Sequence, residues 1–110
     1  MMLLTKALLK QIPTLDATAQ LTIAEQSAYV KFFNPTGGQT WYITAYNHAN
    51  HMAFGFADLG DSRMAELGYI SMDELESLTF RWGLKVERDR SFSKCPLTQV
   101  IDRVRSGNPM

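Results

Sequence analysis

From Phe32 to Ala57 the chain carries no side chain that is charged at neutral pH, and the run is rich in aromatic and β-branched residues. A stretch of this kind either crosses a membrane or folds into strands that bury at least one face. Asn34, Pro35, Gly37, Gly38, Gln39, Asn47, His48 and Asn50 interrupt it, which rules out a membrane span and divides it into strands instead. Strands are expected over 28–33, 40–46 and 51–58, with Asn34-Pro35-Thr36-Gly37-Gly38 turning the chain between the first pair. Alternation places Val30, Phe32, Trp41, Ile43, Met52, Phe54 and Phe56 on the core side. The opposite side then shows Tyr29, Lys31 and Phe33 beside Tyr42, Thr44 and Tyr46, an unusually aromatic surface.

Helices flank this meander. Thr5 is a plausible N-cap for a short first helix with Leu8, Leu9 and Ile12 on one face, closed by Pro13, and Leu4 and Leu9 have the spacing of a hydrophobic staple. The segment from Thr14 to about Gln26 reads as a polar connector with at most a loose turn near Ile23-Ala24-Glu25. A short strand over 66–70 is followed by Ser71-Met72-Asp73-Glu74, a capping box that starts a helix with Met72, Leu75 and Leu78 as its apolar stripe. Lys85 to Phe92 alternates charge and suits an edge strand. In the last helix Pro96 stands at the start, Leu97, Val100, Ile101 and Val104 form the buried stripe, Arg103 and Arg105 occupy the final turn, and Gly107 lies just beyond.

A chain of 110 residues holds one core. The fold class is therefore α+β: a single domain with an antiparallel meander of about four to five strands and about three short helices, one after the meander and one at each end.

Acidic and basic residues balance, 11 against 11, so nothing in the overall charge calls for nucleic acid, an anionic membrane or an acidic substrate. Locally, residues 81–110 are basic, with Arg81, Lys85, Arg88, Arg90, Lys94, Arg103 and Arg105 against Glu87, Asp89 and Asp102. Cys95 is the one cysteine, which excludes an internal disulfide and fits a reducing, cytoplasmic setting. The leading Met1-Met2-Leu3-Leu4 run is cut short by Lys6 and Lys10 and lacks the apolar core of a signal peptide.

Several stretches resemble a known family. Leu3-Leu4-Thr5 with Ile12-Pro13, Tyr29-Val30-Lys31 with Phe33, Trp41-Tyr42, Glu66-Leu67-Gly68-Tyr69, Ser71 with Glu74-Leu75-Glu76, Gly83-Leu84, and Val86-Glu87-Arg88-Asp89 are similar to the DUF 2958 family, over about Leu3 to Leu97. Its members are mostly uncharacterised small proteins of plasmids, integrative elements and phages. The resemblance brings no established active site. Members often carry an acidic residue shortly after the Trp-Tyr pair, where this chain reads Thr44-Ala45-Tyr46-Asn47. The association with mobile elements implies a protein that interferes with a host defence system, of anti-restriction or anti-CRISPR type.

Each candidate chemistry has a plainer counterpart. Asp58, Glu66, Glu87 and Asp89 are the carboxylates available for a magnesium ion, and a nuclease for single strands would use Glu66, Glu87 and Asp89; pairing with Arg88 or Arg90 explains the same residues. His48 and His51 flank a turn without a third ligand, Cys95 has no nucleophile elbow around it, and Gly37, Gly38, Gly55 and Gly60 make no phosphate loop. The rings Tyr29, Phe33, Tyr42 and Tyr46 with Lys31 suit stacking of bases or anchoring of a protein, unless the terminal helix packs on them.

The expected function is that of a non-enzymatic binding protein without a cofactor, contacting a host macromolecule, a protein before a nucleic acid, through Tyr29, Lys31, Phe33, Tyr42, Tyr46, Arg88 and Arg90. A third reading is a structural subunit whose apolar or aromatic surface forms a homodimer interface. No membrane role is expected. The alternative is the magnesium-dependent nuclease or a single-strand-binding module.

Overall fold

The computed structural model describes residues 3–108. Helix α1 (Lys6–Gln11) starts at Thr5, whose hydroxyl accepts the Leu8 amide at 3.3 Å. The polar connector is more ordered than its composition suggests. Thr14 caps an additional helix, α2 (Leu15–Thr18), by accepting the Ala17 amide at 3.1 Å. Thr22 then opens a single 3-10 turn over Ile23–Glu25, donating its amide to the Glu25 carboxylate at 3.0 Å and its hydroxyl at 2.9 Å. The backbone bond first, and the hydroxyl second, hold the Glu25 carboxyl below its ordinary value.

The remaining elements are β1 (Ser27–Ala28), β2 (Val30–Phe33), β3 (Thr40–Asn47), β4 (Met52–Asp58), β5 (Glu66–Ser71), α3 (Met72–Ser77), β6 (Glu87–Arg88), β7 (Cys95–Pro96) and α4 (Leu97–Arg105). The main sheet has five strands in the order β5-β4-β3-β2-β6, antiparallel throughout, and β1 pairs with β7 beside it. The α+β meander read from the sequence is the observed architecture. Ser71 caps α3 by accepting the Glu74 amide at 3.2 Å. The expected 85–92 strand shrinks to Glu87–Arg88, because the Asp89 carboxylate accepts the Ser91 amide at 2.9 Å and turns the chain away. Leu78 lies past the end of α3 and is exposed, so only Met72 and Leu75 bury from that stripe.

Both faces of the sheet are covered. One packs Val30, Phe32, Trp41, Ile43, Ala53 and Ile70 against Leu4, Ile12, Met72, Leu75 and Val86. The other packs Tyr42 and Phe56 against Ala65 and the stripe Leu97, Val100 and Val104 of α4. Two core faces leave no wet side to the central strand, and β3 is buried from Trp41 to Tyr46. Phe56 thus turns away from Trp41 and Ile43 toward α4, and Phe54 and Met52 are only half-buried, contrary to the single core face expected from alternation.

Phe56 shares the face of Tyr42, its cross-strand partner, whereas within β3 the alternation itself breaks, and for a local reason. The β3–β4 register steps from Ile43↔Gly55 to Ala45↔Phe54, leaving Thr44 as an extra residue in β3. The Thr44 hydroxyl donates to the Phe54 carbonyl at 3.0 Å, giving the interrupted ladder a substitute bond. Because side chains alternate with a period of two, one inserted residue exchanges the faces of everything beyond it. Tyr42 therefore joins the α4 core and Tyr46 the opposite one.

Candidate functional site

The aromatic sheet surface expected from the sequence is closed within the protomer. Tyr42 is fully buried; Phe92 lies 5.8 Å from its ring centre and the Lys31 ammonium 5.7 Å. Tyr46 is buried on the other side, with His48 edge-on at 5.0 Å and His51 stacked at 6.4 Å. Burial pushes both phenols above the ordinary tyrosine value. Tyr29 and Phe33 are half-buried, Tyr29 beneath the Lys94 ammonium at 5.0 Å. The terminal helix covers Tyr42 and the opposite core takes Tyr46, so the rings do not share one stacking platform.

Nor do the candidate carboxylates converge. Glu66 stands on β5 and Glu87 on β6, the opposite edges of the sheet, about 19 Å apart if each of the intervening strand steps is about 4.8 Å. Asp89 faces Lys31 at 3.7 Å, and Asp58 accepts the Gly60 amide at 3.0 Å. Local sequence gave no sign that β6 returns to pair with β2, and that return is what separates Glu66 from Glu87. Among the described residues no group of His, Cys, Asp and Glu side chains gathers as a metal site. His51 sits 3.0 Å from Asp73, while burial raises the Cys95 thiol above its usual value.

What the fold does assemble lies at the β6 edge. Lys85, Arg88 and Arg90 line a cavity of about 390 Å³ together with Glu76, Glu87 and Thr5. Glu76 is tied to the start of the chain by the Leu3 amide, which donates to it at 2.9 Å. Lys85 also ends a small hairpin, bridged to Thr79 and closed by hydrogen bonds from Phe80 N–H to the Leu84 carbonyl (2.6 Å), Gly83 N–H to Phe80 (3.2 Å) and Leu84 N–H to Arg81 (3.2 Å).

Trp82 occupies the tip of that hairpin in a left-handed conformation, φ 59° and ψ 24°, followed by Gly83 at φ 73°. A bulky non-glycine residue rarely adopts this backbone. The residue is 81% exposed, with the Arg81 guanidinium 5.8 Å from the ring centre. Leu78, just before the hairpin, and Leu84, on its returning arm, are exposed as well. Trp82 is not among the residues expected from the sequence; its signal there is a tryptophan directly before a turn glycine in a charged segment.

The sequence profile of a family described as Protein of unknown function (DUF2958) matches residues 3–108. The chain belongs to the DUF2958 family. No curated protein and no solved structure matches it. Among the described residues of this DUF2958 protein no helix is long and apolar enough to cross a membrane.

Proposed function

We propose that this DUF2958 protein is a non-enzymatic binding module that grips a partner protein with the Trp82 hairpin and the adjoining cationic rim of Lys85, Arg88 and Arg90. The observation that carries this reading is Trp82: a large apolar side chain held out in solvent on a strained backbone. Strain of that kind persists where a position serves a purpose other than stability. An indole brings about 150–250 Å² of surface into a pocket, and Trp and Arg dominate the energetics of protein interfaces.

The charges beside it select among partners. Glu76 and Glu87 share the cavity with the cations. Carboxylates so placed repel a phosphate backbone, whereas a protein surface carrying both signs satisfies them all. The contact surface expected from sequence therefore keeps Arg88 and Arg90 and exchanges the buried rings for Trp82. The family's association with plasmids and phages names the partner class to test first, a host defence protein whose activity the module would inhibit.

Quantitative affinity capture from host cells tests the reading, using wild type, Trp82→Asn and the Arg88→Glu/Arg90→Glu double variant as baits. A specific protein retained by wild type and reduced at least about tenfold by either variant is expected for an interface hot spot. Equal retention by all baits overturns it. Labelled single-stranded DNA is the companion probe, and binding weakened by Trp82→Asn would move the partner from protein to nucleic acid.

A further inference from the structure

The two edges of the main sheet are built differently. At the β6 end only Glu87–Arg88 pair with β2, and Lys85, Asp89 and Arg90 surround them, a short charged edge of the kind that resists further pairing. At the other end β5 runs six residues, Glu66-Leu67-Gly68-Tyr69-Ile70-Ser71, in unbroken register with β4. It has no Pro, Lys, Arg or bulge, and its only charge is Glu66 at the first position. Exposed apolar side chains flank it: Tyr69 at 71%, Met64 at 76% and Leu59 at 67%. Together with Leu67 they line a groove of about 370 Å³ along the strand.

Hydrogen bonding fixes which backbone groups face out. Met72 N–H donates to the His51 carbonyl at 3.0 Å, continuing the register in which Ser71 opposes Met52. In an antiparallel ladder, residues alternate between facing the partner strand and facing away. Ile70, Gly68 and Glu66 therefore turn their N–H and C=O groups to β4, while Leu67 and Tyr69 turn theirs outward. Among the described residues no strand pairs with β5 on that side, and no backbone hydrogen bond from another element reaches Leu67 or Tyr69.

We infer that β5 pairs antiparallel with β5 of a second copy of this chain, across a twofold axis at Gly68. This register sets Leu67 of one copy opposite Tyr69 of the other and closes about four hydrogen bonds, all between mid-strand residues. A register centred one residue later would draw on Ser71, which is already the cap of α3. At the Gly68 axis an added β-carbon would meet nothing within 4 Å, so the sheet face beside the axis is open. No like charges oppose each other, because Glu66 faces Ile70. The chain has a net charge of zero, and copies approach without overall repulsion. The contact is self-complementary, as a twofold dimer requires. It leaves both Trp82 hairpins on the far edges, and its truth does not depend on what they bind.

Sedimentation velocity of the full chain, from micromolar to submillimolar concentration, tests the dimer. Wild type is expected to approach twice the monomer mass of 12.4 kDa. Tyr69→Pro removes an outward donor that β4 does not use, and the preceding Gly68 tolerates the proline. Tyr69→Lys places a charge on the edge. Each is expected to raise the dimer Kd at least about tenfold while keeping the wild-type circular dichroism spectrum. Hydrogen exchange at the Leu67 and Tyr69 amides of wild type should slow as concentration rises, a readout that needs no variant. A wild-type monomer at the highest concentration, or a dimer that Tyr69→Lys leaves unchanged, overturns the inference.

Discussion

Gly55 faces Tyr42 so closely that a β-carbon on the glycine would run into the Tyr42 carbonyl oxygen. The approach occurs beside the bulge, where Gly55 opposes Ile43 and the register then skips Thr44. Backbone can come this near only because glycine has no side chain.

Gly55→Ala is accordingly expected to destabilise the fold by about 2–4 kcal/mol, since backbone rather than a movable side chain blocks the new methyl. Urea denaturation measures it. A loss below that range would mean that the bulge shifts freely.

Thr44→Val keeps the shape of the buried residue and removes its hydroxyl. The Phe54 carbonyl loses the bond at 3.0 Å that Thr44 supplies. A cost of about 1–3 kcal/mol is expected for a buried acceptor deprived of its donor, read from the same denaturation experiment.

How far the sequence spoke for this fold is best seen in β3. Trp41 and Ile43 follow Val30 and Phe32 onto the expected core face because alternation holds up to the bulge. Beyond it the parity reverses, and nothing in Ile43-Thr44-Ala45 announces an inserted residue; a lone Gly55 within a strand was the available hint. Tyr42 and Tyr46 read as neighbours on one wet face, although they belong to opposite cores. The helix ends at Thr5 and Ser71 were legible, since capping is local chemistry. The pairing of β6 with β2 was not, being a contact between distant segments.

Alkaline pH should weaken the protein through the buried phenols. Burial raises Tyr42 and Tyr46 above the ordinary value of 10.0. Their contribution is fully present below 10.0 and is lost as pH rises through the higher folded values, because the unfolded chain ionises first. A melting temperature that falls above about pH 10 is expected, and Tyr42→Phe should flatten that decline.

Trp82→Asn should leave stability equal or higher. Asparagine accepts a left-handed backbone, which relieves about 1 kcal/mol, while the lost Arg81 stacking at an exposed site offsets about half of that. A melting temperature equal to wild type or a few degrees above it is expected. A marked fall would make Trp82 a structural residue.

The most direct measurement follows the indole itself. In a Trp41→Phe background, which leaves Trp82 as the emitting tryptophan, the protein is titrated with the partner isolated by affinity capture and the emission is recorded. Burial of Trp82 in a pocket of the partner predicts a saturable blue shift that Arg88→Glu/Arg90→Glu displaces to higher partner concentration. Saturated binding with emission unchanged from that of a solvent-exposed indole would contradict it.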